Sequence, residues 1–184
     1  MTINEIKELL SHEPTAELIA ELAQDKRVAV QKLLQSYHKR IEKVALEKER
    51  FYKMLSYERQ YYGEGAKLIA GVDEAGRGPL AGPLVIAAVI LPKDVFISGL
   101  NDSKQISASK RAKLYDEVLQ KAISVSVNIV SISNIDELNI YRATQVGMSE
   151  VLLSLDVRPD VALIDAMPVE AEDIKTVSDA GLRK

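Results

Sequence analysis

Two adjacent carboxylates close an apolar run and open a turn of glycine, arginine and proline, in the stretch Gly71-Val72-Asp73-Glu74-Ala75-Gly76-Arg77-Gly78-Pro79-Leu80-Ala81-Gly82-Pro83. Apolar residues ahead of an acidic pair make a dry strand end, where uncompensated negative charge is costly unless a cation neutralises it. Glycines after it let backbone approach a ligand closely, and N–H groups at such turns favour phosphate. A third acid, Asp165, also follows an apolar run, Val161 to Ile164. If Asp73, Glu74 and Asp165 gather at one sheet edge, their mutual repulsion is relieved by a divalent ion among them. Oxygen-only ligands suit Mg²⁺ or Mn²⁺, and two such ions activate water and stabilise the leaving oxygen of a phosphodiester.

One geometric condition attaches to this chemistry. Neighbouring residues on a regular strand point to opposite faces, so Asp73 and Glu74 share a site only if the strand ends there. Ala75-Gly76 is expected to end it. Isolated acids at strand ends often only form turns, and Asp165 alone would be read so.

The elements that position these acids are legible as two regions, residues 1–65 and 66–184. The first reads as all helix. Thr2-x-x-Glu5 is a capping box, Thr15 caps a second helix to Ala23, and Lys26 to Tyr62 is one long periodic segment ended by Gly63 and Gly65. Val30, Leu33, Leu34, Tyr37, Ile41, Val44, Phe51 and Leu55 form one apolar stripe, with Lys32, Lys39, Lys43 and Arg50 opposite. A break near Tyr57 is expected. His12 and His38 read as ordinary surface residues.

The second region alternates strands and helices. Strands are predicted at Lys67–Asp73, Leu84–Leu91, Ile123–Val130 and Val161–Ile164. Helices are predicted from Ser107 to about Lys121 and from Ile135 to Leu155, the latter bent near Gly147. After Asp165 the pattern fades. The class is α/β: a mixed sheet with flanking helices.

Composition narrows the partners. Net charge is −3, yet residues 1–25 carry six acids and one base while residues 26–59 carry ten bases and four acids. The local field therefore leaves room for a nucleic-acid partner. Zero cysteines exclude disulfides, thiolate metal sites and cysteine nucleophiles. No apolar run reaches membrane-spanning length and the start is unlike a signal peptide; a cytoplasmic monomer with no membrane partner is expected. A nucleotide-binding fingerprint is not met, because Gly76, Gly78 and Gly82 are wrongly spaced and no Gly-Lys-Ser/Thr follows.

The segment GVDEAGRGPLAGP resembles the signature of ribonuclease HII, the type 2 ribonuclease H family. Asp102-Ser103-Lys104, Asn139-Ile140-x-x-Ala143-Thr144 and Ile164-Asp165-Ala166 extend the likeness, which covers residues 67 to about 167. The helical front, with Arg50-Phe51-x-x-Met54 and Tyr57-Glu58, is similar to the extension of Firmicute-type members. The resemblance implies a ribonuclease H-like sheet. It also implies a Mn²⁺- or Mg²⁺-dependent endonuclease that cuts the RNA strand of RNA–DNA hybrids, or DNA at single embedded ribonucleotides, leaving 5′-phosphate ends. On the same ground Asp73, Glu74 and Asp165 would bind metal. Gly76, Arg77 and Gly78 would read the 2′-hydroxyl, and Ser103, Lys104, Asn139 and Thr144 would contact phosphates.

The family's fourth carboxylate has no counterpart: neither Asp173 nor Asp179 sits in a matching segment, and the family's junction-reading tyrosine is absent. A truncated or frameshifted member is expected, lacking an edge strand, exposing apolar surface and impaired in cleavage. The alternative is a non-catalytic protein that binds hybrids.

Overall fold

A computed structural model describes residues 1–78, 82–165 and 167–178. It divides into two compact units, residues 1–53 and 54–184. Pro79, Leu80 and Ala81 of the glycine-rich turn, Ala166 after the third acid, and Asp179 lie outside the described residues.

The first unit is helical: α1 (Ile3–Leu9), α2 (Ala16–Gln24) and α3 (Val28–Met54). The capping box forms, with the Glu5 N–H donating to Thr2 Oγ1 at 3.3 Å and the Thr2 N–H to Glu5 Oε2 at 2.8 Å. Thr15 caps α2 through the Leu18 N–H. Ile6, Leu10, Leu22, Val30 and Leu34 make its core, with Leu33 and Tyr37 at the margin. The long stripe of α3 is buried only in part. Ile41 and Val44 are exposed, because α1 and α2 are short and their core residues meet only the first turns of α3.

The long helix stops at Met54, and α4 (Ser56–Gly63) begins the second unit after a one-residue break at Leu55. Five strands follow among the described residues: β1 (Ile69–Ala75), β2 (Leu84–Ile90), β3 (Ser124–Val130), β4 (Val161–Ile164) and β5 (Lys175–Ser178). Their order across the sheet is β3-β2-β1-β4-β5. The first three run antiparallel, while β4 and β5 lie parallel to β1. Between β2 and β3 lies α5 (Ala108–Lys121), capped by Ser107. Between β3 and β4 come α6 (Ile132–Leu138) and α7 (Ile140–Leu153).

Alternation along the strands assigns the two faces. Ala70, Val72, Ile86, Ala88 and Ile164 pack against Met148, Val151 and Leu152 of α7. The opposite face, near the start of β1, holds Ile69 and Val161 against Tyr61 of α4. Gly147 lets α7 approach the sheet, since a Cβ there would stand 2.5 Å from Ile86 Cδ1 and 3.0 Å from Val130 Cγ2.

Three expectations are corrected. The helix predicted over Ile135–Leu155 is two helices broken at Asn139, whose φ of +64° ends one and starts the next, rather than one helix bent at Gly147. The segment after Asp165 does form a strand, because Val161 to Ile164 offers a free parallel edge that Lys175 to Ser178 fills. Exposed apolar side chains lie instead toward the other edge, at Val85, Val127 and Ile129, which share one face through the pairs Val85–Ile129 and Ala87–Val127.

Candidate active site

The sheet brings two of the three acids together. β1 and β4 are parallel with Val72 opposite Ile164, and the Asp165 N–H still donates to the Val72 carbonyl at 3.4 Å. The next pair in that register is Asp73 with Asp165. Neighbouring strands lie about 4.8 Å apart and paired residues share a face, so both carboxylates leave the sheet on the side opposite α7. Both are exposed. Asp73 Oδ1 accepts the Glu74 N–H at 2.8 Å, which fixes the side chain close to its own backbone.

Glu74 goes the other way. β1 does not stop at the acidic pair: Asp73, Glu74 and Ala75 remain paired with Ala87, Ile86 and Val85 of β2. The pleat therefore continues, and Glu74 shares the α7 side with Val72. Its carboxylate, only 13% exposed, lies 3.5 Å from Arg77 Nη1. Among the described residues, no group of three acidic or histidine side chains stands close enough to hold one metal ion. β1 does end at Ala75, with Gly76 outside it, but β2 pairs both acids up to that end, so the ending does not turn Asp73 and Glu74 to one face.

In the turn beyond, Gly76 and Gly78 have different reasons to be glycine. Gly76 has φ +97°, and a Cβ on it would stand 2.6 Å from the Pro83 carbonyl oxygen. The chain itself requires it. Gly78 would meet nothing within 4 Å, so its bare backbone is left to whatever approaches from outside. Arg77 between them is exposed.

The remaining candidates divide in the same manner. Ser103 and Lys104 lie on a single 3₁₀ turn, Ser103–Gln105, whose start is capped by Asp102 Oδ1 accepting the Lys104 N–H at 2.9 Å. Both are exposed. Asn139 is exposed and is the α7 cap, its Oδ1 accepting the Arg142 N–H at 3.1 Å. Thr144 is fully buried and donates its hydroxyl to the Ile140 carbonyl at 2.7 Å. A direct phosphate contact by Thr144 is thereby excluded, because its one donor is used inside the helix. Asp173 is exposed and lies 3.5 Å from Arg158.

One residue that aligns this edge was not anticipated. Asp160 Oδ2 accepts the N–H groups of Lys67 at 2.7 Å and Leu68 at 3.0 Å, tying the start of β1 to the start of β4. Those two N–H groups hold the Asp160 carboxyl below the usual carboxylate range. The available signal was Arg158-Pro159-Asp160 just before an apolar run, a turn pattern that does not disclose its partners ninety residues away.

Chemically, two exposed carboxylates following the Val72–Ile164 pair of adjacent parallel strands suit a hard divalent ion that completes its shell with water and phosphate oxygens. Residues 2–62 match the model of the Ribonuclease HII N-terminal domain, and residues 70–180 match that of Ribonuclease HII. Ribonuclease HII of Lactobacillus helveticus (strain DPC 4571) is 46% identical over 179 residues, covering 96% of this chain and 71% of that protein. The Ribonuclease HII of Lactobacillus delbrueckii subsp. bulgaricus is 49% identical over 175 residues, covering 94% and 67% respectively. Among solved structures, the ribonuclease H2 of Pyrococcus horikoshii OT3 superposes with a TM-score of 0.53 at 26% identity, covering 64% of this chain and 65% of that one. Bst-RNase HIII in complex with Mn²⁺ gives 0.51 at 16% identity, over 61% of this chain and 46% of that one, a likeness of fold alone. The sheet is thus ribonuclease H-like, and the chain belongs to the ribonuclease HII family of endoribonucleases.

Proposed function

We propose that this protein is a metal-dependent endonuclease that hydrolyses the RNA strand of RNA–DNA hybrids and cuts DNA at single embedded ribonucleotides, leaving 5′-phosphate ends. The observation that supports the proposal is the β1–β4 register, which ends at Val72–Ile164 and is followed on the two strands by the exposed Asp73 and Asp165, near the Gly76-Arg77-Gly78 turn in sequence.

Asp73 and Asp165 would hold Mg²⁺ or Mn²⁺; such an ion, when bound, activates water and neutralises charge on the scissile phosphate. Glu74 is the third acid of the proposed site, and it joins only when its carboxylate leaves Arg77 and turns past the strand end. Gly78 admits the ribose, since its backbone is unobstructed, and a 2′-hydroxyl is the group that distinguishes RNA from DNA. Arg77, Ser103 and Lys104 contact phosphates and set register without reading sequence. Asn139 and Thr144 act through α7, as its cap and its internal brace.

The N-terminal helices add affinity through the exposed Lys32, Lys39 and Lys43. Residues 1–65 are accordingly taken as a substrate-binding extension and 66–184 as the catalytic region. We take the protein to act as a cytoplasmic monomer. No described helix is long and apolar enough to cross a membrane.

The test is a duplex carrying one ribonucleotide, incubated with Mn²⁺ or Mg²⁺. Cleavage 5′ of the ribonucleotide phosphate, lost on Asp73→Asn, supports the proposal; uptake of neither ion overturns it. A second reading draws on the separation of Glu74 from the other two acids: a protein that binds hybrids without turnover. Retention of the duplex with no product in either ion would favour it.

A further inference from the structure

On the same sheet face as Asp73, two residues back along β1, lies a small pocket of about 140 Å³ that the nuclease reading leaves unused. Gly71 forms its floor opposite Val89, and a Cβ on Gly71 would meet nothing within 4 Å. Leu55, Leu91 and Val95 supply apolar wall. A void of roughly 150 Å³ takes one benzene-sized ring. Ring size is therefore the first constraint on an occupant.

Charge is the second. Two ionisable side chains of opposite sign line the pocket. Lys93 is engaged, its ammonium 5.2 Å from the centroid of the Tyr62 ring. Glu58 is half-buried in the first turn of α4, where a hydrogen bond from its own backbone favours the ionised form. Burial pushes its carboxyl up, and burial together with the charges of Glu58 and Asp94 pushes the Tyr62 phenol up. A desolvated carboxylate with apolar walls is relieved by a ligand that brings positive charge and N–H donors.

We propose that this pocket binds a planar single-ring organic cation of the amidinium class, its ring against Leu91 and Val95 and its N–H groups on the Glu58 carboxylate. The site is separate from the acidic pair at Asp73 and Asp165, and its occupancy requires neither a metal nor a nucleic acid.

Benzamidine is the probe, followed by amide shifts in ¹⁵N-labelled protein, with benzyl alcohol as a neutral ring of similar size. Saturable shifts are expected at Gly71, Tyr62 and Val89. Glu58→Gln is expected to weaken benzamidine about tenfold or more while leaving benzyl alcohol unchanged, the loss of one charge-assisted contact. Val95→Trp, which fills the cavity, is expected to abolish both. If Val95→Trp does not fold, the Glu58→Gln comparison stands by itself, since that change keeps shape. Equal binding of benzamidine and benzyl alcohol overturns the proposal, as does unchanged affinity in Glu58→Gln or the absence of saturable shifts. Duplex cleavage by the same sample, measured in parallel, separates failure here from failure of the nuclease reading.

Discussion

Gly76 and Pro83 cross so closely that a single added methyl on residue 76 would lie 2.6 Å from the Pro83 carbonyl oxygen. Backbone stands on both sides of that contact, so nothing flexible yields. The φ of +97° at Gly76 adds a second penalty for any other residue. The glycine-rich turn is therefore partly a fold requirement, and only partly a surface for substrate.

Gly76→Ala and Gly78→Ala separate the two roles. The first is expected to cost at least about 1–3 kcal/mol, the scale of a strained backbone, and to lower the thermal midpoint. The second is expected to leave stability within about 0.5 kcal/mol, because its Cβ enters open space. It should nevertheless slow cleavage of a single-ribonucleotide duplex. Equal thermal midpoints with equal loss of activity would mean that both glycines serve the substrate alone.

Asp73→Asn and Asp165→Asn are each expected to reduce cleavage by about a hundredfold or more, the scale of removing one electrostatic stabiliser. Both should weaken Mn²⁺ uptake in calorimetric titration without substrate. Glu74→Gln should weaken it less in the free protein, because that carboxylate faces Arg77. A larger effect of Glu74→Gln than of Asp73→Asn would reverse the assignment of the resting metal site.

Lys104 and Thr144, both expected from the resemblance to contact phosphates, should behave differently. Lys104→Ala is expected to weaken hybrid binding uniformly across sequences and to reduce the salt slope by about one. Thr144→Val should change neither, since the hydroxyl is buried against the Ile140 carbonyl. Filter binding at several salt concentrations reads both.

Glu58 makes a pH prediction whose sign follows from its burial. Its folded carboxyl titrates above the unfolded value of about 4.3, so across that window the folded state binds more protons. Stability should fall as pH rises from the unfolded value through the folded one, and stay lower at neutral pH. Glu58→Gln should remove this slope and raise the thermal midpoint at pH 7. An unchanged slope would place the carboxyl in water.

Gly147→Ala tests the packing of α7. With Ile86 Cδ1 at 2.5 Å and Val130 Cγ2 at 3.0 Å from the added carbon, overpacking of about 1–3 kcal/mol is expected. Urea unfolding measures it. Pairing with Ile86→Val, which shortens the side chain in the way, should recover part of the loss.

Much of this architecture is written locally in the chain. The capping box at Thr2 and Glu5, the Ser107 cap and the apolar runs of β1 to β4 each follow from residues within a turn or two of one another. Such signals survive without tertiary context because caps and periodicity act over three or four residues. The break at Asn139 was harder to see, since it needs one residue at positive φ inside a continuous helical pattern.

The sequence by itself determined that Asp73, Glu74 and Asp165 sit where apolar runs end, and that oxygen ligands beside a glycine turn suit divalent-ion chemistry. Only the tertiary structure decided which acids meet. Asp73 and Asp165 share a face because β4 pairs with β1 in parallel at Val72–Ile164, and Glu74 is turned away because β2 holds β1 in its pleat as far as Ala75. Likewise β5 exists because β4 leaves a parallel edge free, something the polar Lys175-Thr176-Val177-Ser178 does not announce. Side-chain alternation is a local property, but where a strand stops depends on whether a distant partner still offers hydrogen bonds.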